Sequence, residues 1–170
     1  LMAGASHSGQ IPTMDGKPHS HRLRIGRHSE SGGVYLLTAC CRDRIPHFAD
    51  PSAAGIVLDA LRWLDRQGRI ELFAAVVMPD HVHFVGVLSH GPLARTMHAL
   101  KGYSASRIHR ECGEPGCIWQ AGYHDRALRD DARVQDAVDY CLQNPVRAGL
   151  VEDFRDYPHT SCRRGRESRL

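Results

Sequence analysis

Two histidines, His81 and His83, stand one residue apart in the run Val76-Val77-Met78-Pro79-Asp80-His81-Val82-His83-Phe84-Val85. Successive side chains of a strand point to opposite faces, so both imidazoles share one face and Val82 takes the other. Neutral imidazole nitrogen is a frequent ligand of divalent metals, and two such groups on a rigid strand lose little entropy on binding one ion. Taken alone, a His-x-His pair in a chain with 12 histidines is more often a solvated strand face than a site.

A second pair of groups gives the histidines a partner. In residues 131–144, Val134, Ala137, Val138, Cys141 and Leu142 recur at helical spacing and form a buried stripe. At about 100° per residue, Tyr140 and Asn144 fall together on one flank of that stripe, one turn apart. A phenol can act as a nucleophile and an amide oxygen as a hard metal ligand. In isolation the same two residues read as a core-edge tyrosine and an asparagine that closes a helix before Pro145. Two imidazoles and one amide oxygen would leave positions on Mg²⁺ or Mn²⁺ open to phosphate oxygens and water, with a phenol alongside to attack phosphorus.

The elements that must position these groups are legible from periodicity and punctuation. Val34 to Cys41 reads as a first strand, followed by a polar loop with Arg42 and Arg44. Ile56, Val57, Ala60, Leu61 and Leu64 recur at helical spacing, predicting a helix from after Pro51 to about Gln67, with Gly68 as its stop. Ile70–Val77 and His81–Leu88 form a hairpin around Met78-Pro79-Asp80. A second helix runs from Leu93 to about Arg110; Cys117 to Tyr123 with Ala127-Leu128 suggests one bent strand; a third helix starts at Asp130 or Asp131 and reaches Asn144, where Pro145 ends it. Hairpin-linked strands with intervening helices predict an α+β domain, a mainly antiparallel sheet with packed helices of ferredoxin-like or RNA-recognition-motif-like type.

With 170 residues, 42% hydrophobic and 24% charged, the chain suits one soluble domain with a sizeable core. No apolar run approaches a membrane span, and no secretory signal opens the chain, so a cytoplasmic protein is the expectation. Residues 1–30 read as a disordered basic extension, 31–160 as the domain, and 161–170 as a basic tail. The formal net charge is +3, so the distribution of charge matters more than its sum. The six cysteines do not form a secreted disulfide framework, and reduced thiols are expected. Cys112-Gly-Glu-Pro-Gly-Cys117 reads as a turn, because a zinc knuckle needs a second ligand pair that the sequence lacks.

Three stretches, in order, carry a resemblance: Met78-Pro79-Asp80-His81-Val82-His83, then Ile118-Trp119-Gln120-Ala121-Gly122-Tyr123-His124-Asp125-Arg126-Ala127-Leu128-Arg129, then Asp139-Tyr140-Cys141-Leu142-Gln143-Asn144-Pro145-Val146-Arg147-Ala148-Gly149-Leu150. Together they resemble the HUH single-tyrosine transposases of the IS200-like group, in particular the REP-associated tyrosine transposase branch, over roughly residues 33–160. The resemblance implies a Mg²⁺- or Mn²⁺-dependent enzyme that nicks and rejoins single-stranded DNA. It implies His81, His83 and Asn144 as metal ligands and Tyr140 as the nucleophile, leaving a 5′-phosphotyrosine and a free 3′-hydroxyl. It also implies a hairpin-forming repetitive extragenic palindrome with a single-stranded flank as substrate, and a monomer or a homodimer as the working form. No Walker-type phosphate loop is present, which agrees with strand transfer that needs no nucleotide cofactor.

Tyr123, beside His124 and Asp125, is the rival nucleophile, but it lacks a helical Asn partner. Single-stranded DNA is held by basic grooves with aromatic platforms, which nominates Arg42, Arg44, Lys101, Arg107, Trp119, Arg126, Arg129 and Arg147; Trp119 reads also as a core anchor. Two other readings stay open: a DNA-binding regulator that keeps the fold without cleaving, and an unrelated metal-dependent phosphohydrolase.

Overall fold

A computed structural model describes residues 31–163. The chain order is β1 (Val34–Cys40), α1 (Pro51–Arg66), β2 (Ile70–Met78), β3 (His81–Leu88), α2 (Leu93–Cys112), β4 (His124–Leu128), α3 (Asp131–Leu142), α4 (Asn144–Arg147) and β5 (Thr160–Cys162). The sheet order is β4-β1-β3-β2-β5, with every pairing antiparallel. The first four strands and first two helices make the βαββαβ unit of a ferredoxin-like α+β domain.

Strand alternation divides the molecule into two layers. From β1, Tyr35, Leu37 and Ala39 join Val82 and Phe84 of β3 under the apolar stripes of α1 and α2. The opposite face carries Val34, Leu36, Ala74, Val76 and Val85, covered by Ala137, Cys141 and Leu142 of α3. His81 and His83 have the parity of Val85, so they lie on the α3 face.

Local chemistry sets the element ends. The Asp50 carboxylate accepts the Ser52 backbone N–H at 2.8 Å to cap α1, and Asp130 does the same for α3 through Arg133 N–H at 2.8 Å. Gly113 closes α2 in the left-handed region (φ 70°), a conformation open to glycine at no steric cost.

Three expectations are corrected. Only His124–Leu128 is strand; residues 117–123 touch the sheet through a single Cys41–Trp119 bridge, because Lys101 Nζ donates to the carbonyls of Gln120 and Gly122 and so holds the segment off the ladder. The third helix stops at Leu142, and Pro145, rather than ending a helix at Asn144, opens the short α4, where its missing N–H costs nothing. The tail does not begin at residue 161: Thr160, Ser161 and Cys162 pair with Val76, Ala75 and Ala74, and the Arg163 guanidinium bonds Asp65 at 3.0 Å and Glu71 at 2.6 Å. Three residues are too short to show a period-2 pattern. The expected N-terminal extension, residues 1–30, lies outside the described residues. No helix among them is long and apolar enough to cross a membrane.

Candidate active site

The site is built where α3 crosses the histidine end of β3. Cys141, fully buried, reaches the His83 carbonyl with its Sγ at 3.4 Å, and burial pushes its thiol well above the usual range, so it stays protonated and apolar in character. With Cys141 fixed against β3, the preceding Tyr140 is delivered beside the His83 ring: the centroids are 5.7 Å apart, edge to face at 71°. His81 and His83 are themselves 4.7 Å apart at 82°. The two histidines and the tyrosine therefore meet within one chain.

Each imidazole is oriented by a neighbour. His81 Nδ1 lies 2.6 Å from Asp80 Oδ1; a carboxylate only accepts, so the neutral ring carries its proton on Nδ1 and leaves Nε2 as the lone-pair nitrogen. Asp80 is held in turn by Arg44 Nε at 3.1 Å from Oδ2. The turn that brings Arg44 back to Asp80 places two consecutive non-glycine residues, Asp43 and Arg44, in the left-handed region (φ 52° and 58°), a conformation that costs strain. His83 Nδ1 lies 2.7 Å from Thr38 Oγ1, its cross-strand partner on β1. Burial, followed by the neighbouring His81, lowers the His83 pKa to about 4, so its ring is neutral at neutral pH.

Asn144, the first residue of α4, donates from Nδ2 to the Tyr140 carbonyl at 2.7 Å and to Cys141 O at 3.4 Å. Its amide is tied down through the donor, leaving Oδ1 as an acceptor. The donor set thus fits a divalent ion: two imidazole Nε2 atoms whose Nδ1 partners are already satisfied, and one anchored amide oxygen. Among the described residues no three His, Cys, Asp or Glu side chains converge as a metal cage. Cys112 and Cys117 have free thiols and lie at the end of α2 and just beyond the turn after it.

A cleft of about 570 Å³ opens beside the tyrosine, lined by Thr38, His83, Tyr140, Asp136, Arg126, Arg133 and Arg147, with Leu36 and Ala137 at its floor. Tyr140 is 39% exposed where it lines this cleft. Arg147 Cζ lies 5.0 Å from the Tyr140 ring centroid.

The eight proposed DNA contacts divide sharply. Arg126 and Arg147 line the cleft, and Arg129 is exposed in the connection just before α3. Arg42 is exposed at the end of β1. Arg44 is instead committed to Asp80, making it a support for His81. Lys101, Arg107 and Trp119 fall on the α1/α2 layer, across the sheet from Tyr140. Trp119 is 6% exposed, packs on Phe48 with centroids 4.9 Å apart, and donates Nε1–H to Ser104 Oγ at 3.0 Å. Lys101 pins the 120–122 segment, and Arg107 forms a two-point bond to Glu111 at 2.8 and 2.9 Å. A basic or aromatic residue type does not reveal which face of a sheet it will occupy, and α2 carries its charges away from the site. Tyr123 packs against the α1/α2 core, whereas Tyr140 lies beside His83.

Thr38, Asp80, Arg133 and Asp136 were not singled out by sequence. Asp80 sat inside the recognised motif and could have been read as a partner for His81; Thr38 becomes visible only once the β1–β3 register is known.

Residues 31–143 match the IS200-like transposase family. A REP-associated tyrosine transposase of Escherichia coli K12 is 26% identical over 141 residues, covering 81% of each chain, and a Haemophilus influenzae Rd protein assigned to the same group is 26% identical over 149 residues, covering 81% of this chain and 84% of its own. The solved structure of a REP-associated tyrosine transposase bound to a REP hairpin superposes with a TM-score of 0.66 at 26% identity, covering 79% of both chains. The matched residues include His81, His83 and Tyr140, and the chain belongs to the IS200-like transposase family.

Proposed function

We propose that this protein nicks and rejoins single-stranded DNA, with Tyr140 attacking a scissile phosphate to form a 5′-phosphotyrosine link and release a 3′-hydroxyl. The observation that carries the reading is the 5.7 Å approach of the Tyr140 and His83 rings in a cleft lined by three arginines. His81 Nε2, His83 Nε2 and Asn144 Oδ1 would hold Mg²⁺ or Mn²⁺. When bound, that ion polarises the phosphate and stabilises charge developing on its oxygens.

The chain's own groups supply the rest. Arg126 and Arg133 present donors to phosphate oxygens along the cleft. Asp80 and Thr38 hold the imidazoles in one orientation, so little order has to be gained on binding. Because the phosphotyrosine keeps a diester-like bond, a strand's 3′-hydroxyl can reverse the attack without a nucleotide cofactor. The structural relative bound to a REP hairpin supports hairpin DNA as the substrate class.

The test is direct. Labelled hairpin DNA with a single-stranded flank, incubated with the protein and Mn²⁺ or Mg²⁺, is expected to yield a denaturation-resistant protein–DNA adduct that Tyr140→Phe abolishes. An adduct retained in that variant, or none across a diverse flank library, overturns the proposal.

A further inference from the structure

Tyr140 poses a positioning problem. It is 39% exposed, and an exposed side chain on a helix flank samples several rotamers. A nucleophile must instead be held near its target, since small displacements cost large factors in rate. One edge of the ring is met by His83. The guanidinium of Arg147 lies over it at 5.0 Å. Arg147 reaches that position because α4 begins directly after α3: Asn144 bonds the Tyr140 carbonyl at 2.7 Å, and Arg147, three residues on, returns over the ring. The short Asn-Pro-Val-Arg helix therefore grips both the backbone and the side chain of Tyr140.

Arg147 also differs from Arg133 and Arg44 in what it leaves uncommitted. Arg133 is paired with Asp130 at 3.1 Å, and Arg44 with Asp80 at 3.1 Å. Among the described residues Arg147 makes no ion pair, so its N–H donors are available in the cleft while its cation rests on the ring. We infer that Arg147 is a positioning residue for the nucleophile, which holds the Tyr140 ring against His83 and, once the scissile phosphate is seated, donates to its non-bridging oxygens as charge builds on them. In that step the phenol O–H proton passes to solvent, the Tyr140 Oη–P bond forms, the P–O3′ bond breaks, and the departing 3′-oxygen takes a proton from water. Arg147 keeps its charge throughout.

This inference rests on the proposed cleavage reaction, so the experiment separates the two. Adduct formation is followed under single-turnover conditions for the wild type, Arg147→Met and Arg147→Lys, and hairpin-DNA affinity is measured for each in a Tyr140→Phe background. The methionine keeps an apolar stem but no charge; it is expected to slow adduct formation about 100-fold while changing affinity less than about threefold. Lysine, a point charge without the planar fork, is expected to recover part of the rate. A rate for Arg147→Met equal to the wild type, or a loss of affinity matching the loss of rate, overturns the assignment, the latter making Arg147 an ordinary DNA anchor. A readout without DNA accompanies these: the Arg147 side-chain proton resonances are expected to carry a ring-current shift that disappears in Tyr140→Leu, and its absence from the wild type overturns the positioning role. A wild type that gives no Tyr140-dependent adduct defeats the cleavage reading itself, while the ring-current result still decides the contact.

Discussion

The Tyr140 and His83 rings meet edge to face, 5.7 Å between centroids, and both belong to one chain. Some single-tyrosine transposases exchange the tyrosine helix between protomers. Here α3 instead packs on its own sheet through Ala137, Cys141 and Leu142. The proposed nucleophile and histidines therefore meet within one chain, which predicts action in cis. Mixing Tyr140→Phe with His83→Ala protein is expected to restore no adduct formation, whereas a swapped arrangement would recover activity on mixing. Complementation above the sum of the two variants alone defeats the cis reading.

The carboxylate of Asp80 stands between Arg44 and His81, at 3.1 Å from one and 2.6 Å from the other. Partners behind a metal-binding histidine fix its tautomer and typically contribute 10- to 100-fold in affinity. Asp80→Asn is expected to weaken Mn²⁺ binding, read by calorimetry, by about that factor, with Arg44→Met producing a smaller effect through Asp80. Unchanged Mn²⁺ affinity in Asp80→Asn would mean that the pair serves only the turn.

Much of this arrangement was legible in the sequence because its decisive parts are local. His81 and His83 share a face by strand parity, and Tyr140 and Asn144 share a flank by helical spacing, whatever surrounds them. The hairpin around Met78-Pro79-Asp80 and the starts of α1 and α2 followed from the same short-range rules. What failed was non-local. Which layer α2 would face decided the fate of Lys101 and Arg107, and that depends on how the βαββαβ unit closes, not on the helix's own pattern. Trp119 was ambiguous for a related reason: a large amphipathic ring serves as core or platform depending on whether Phe48 and Ser104 arrive to cover it. Strand β5 carries no pattern of its own and exists because β2 offers an open edge.

Burial of His83 has a consequence for stability in acid. Its pKa falls from an ordinary 6.5 to about 4 in the folded protein, so between those values the unfolded chain binds the extra proton more readily. Stability of the metal-free protein is therefore complete above about pH 6.5, declines as pH falls toward 4, and changes no further through this group below that. At about 1.4 kcal/mol per pH unit the loss is on the order of 3 kcal/mol. Urea midpoints measured in EDTA across this range are expected to fall with acidity, and His83→Gln, which cannot ionise, is expected to flatten the profile. An equally steep decline in that variant assigns the effect to other groups.

The two faces of the sheet should respond differently to loss of their charged and aromatic residues. Arg126 reaches the cleft from β4 on the same face as Tyr140, whereas Lys101 and Trp119 are bound up in the opposite layer. Each cation that neutralises a DNA phosphate adds about one to the slope of log affinity against log salt. Arg126→Ala is expected to lower that slope by about one for hairpin DNA while leaving the urea midpoint near the wild-type value. Trp119→Ala should do the reverse, costing about 3–5 kcal/mol of stability through the cavity left beside Phe48. Lys101→Met should loosen residues 120–122 and lower the urea midpoint, with no change in salt slope. Arg107→Ala, which breaks an exposed pair with Glu111 and a contact with the exposed Tyr103, should change neither by much. A fall in salt slope on removing Lys101 or Arg107, with Arg126→Ala silent, would place the DNA on the α1/α2 face and require a different path to Tyr140.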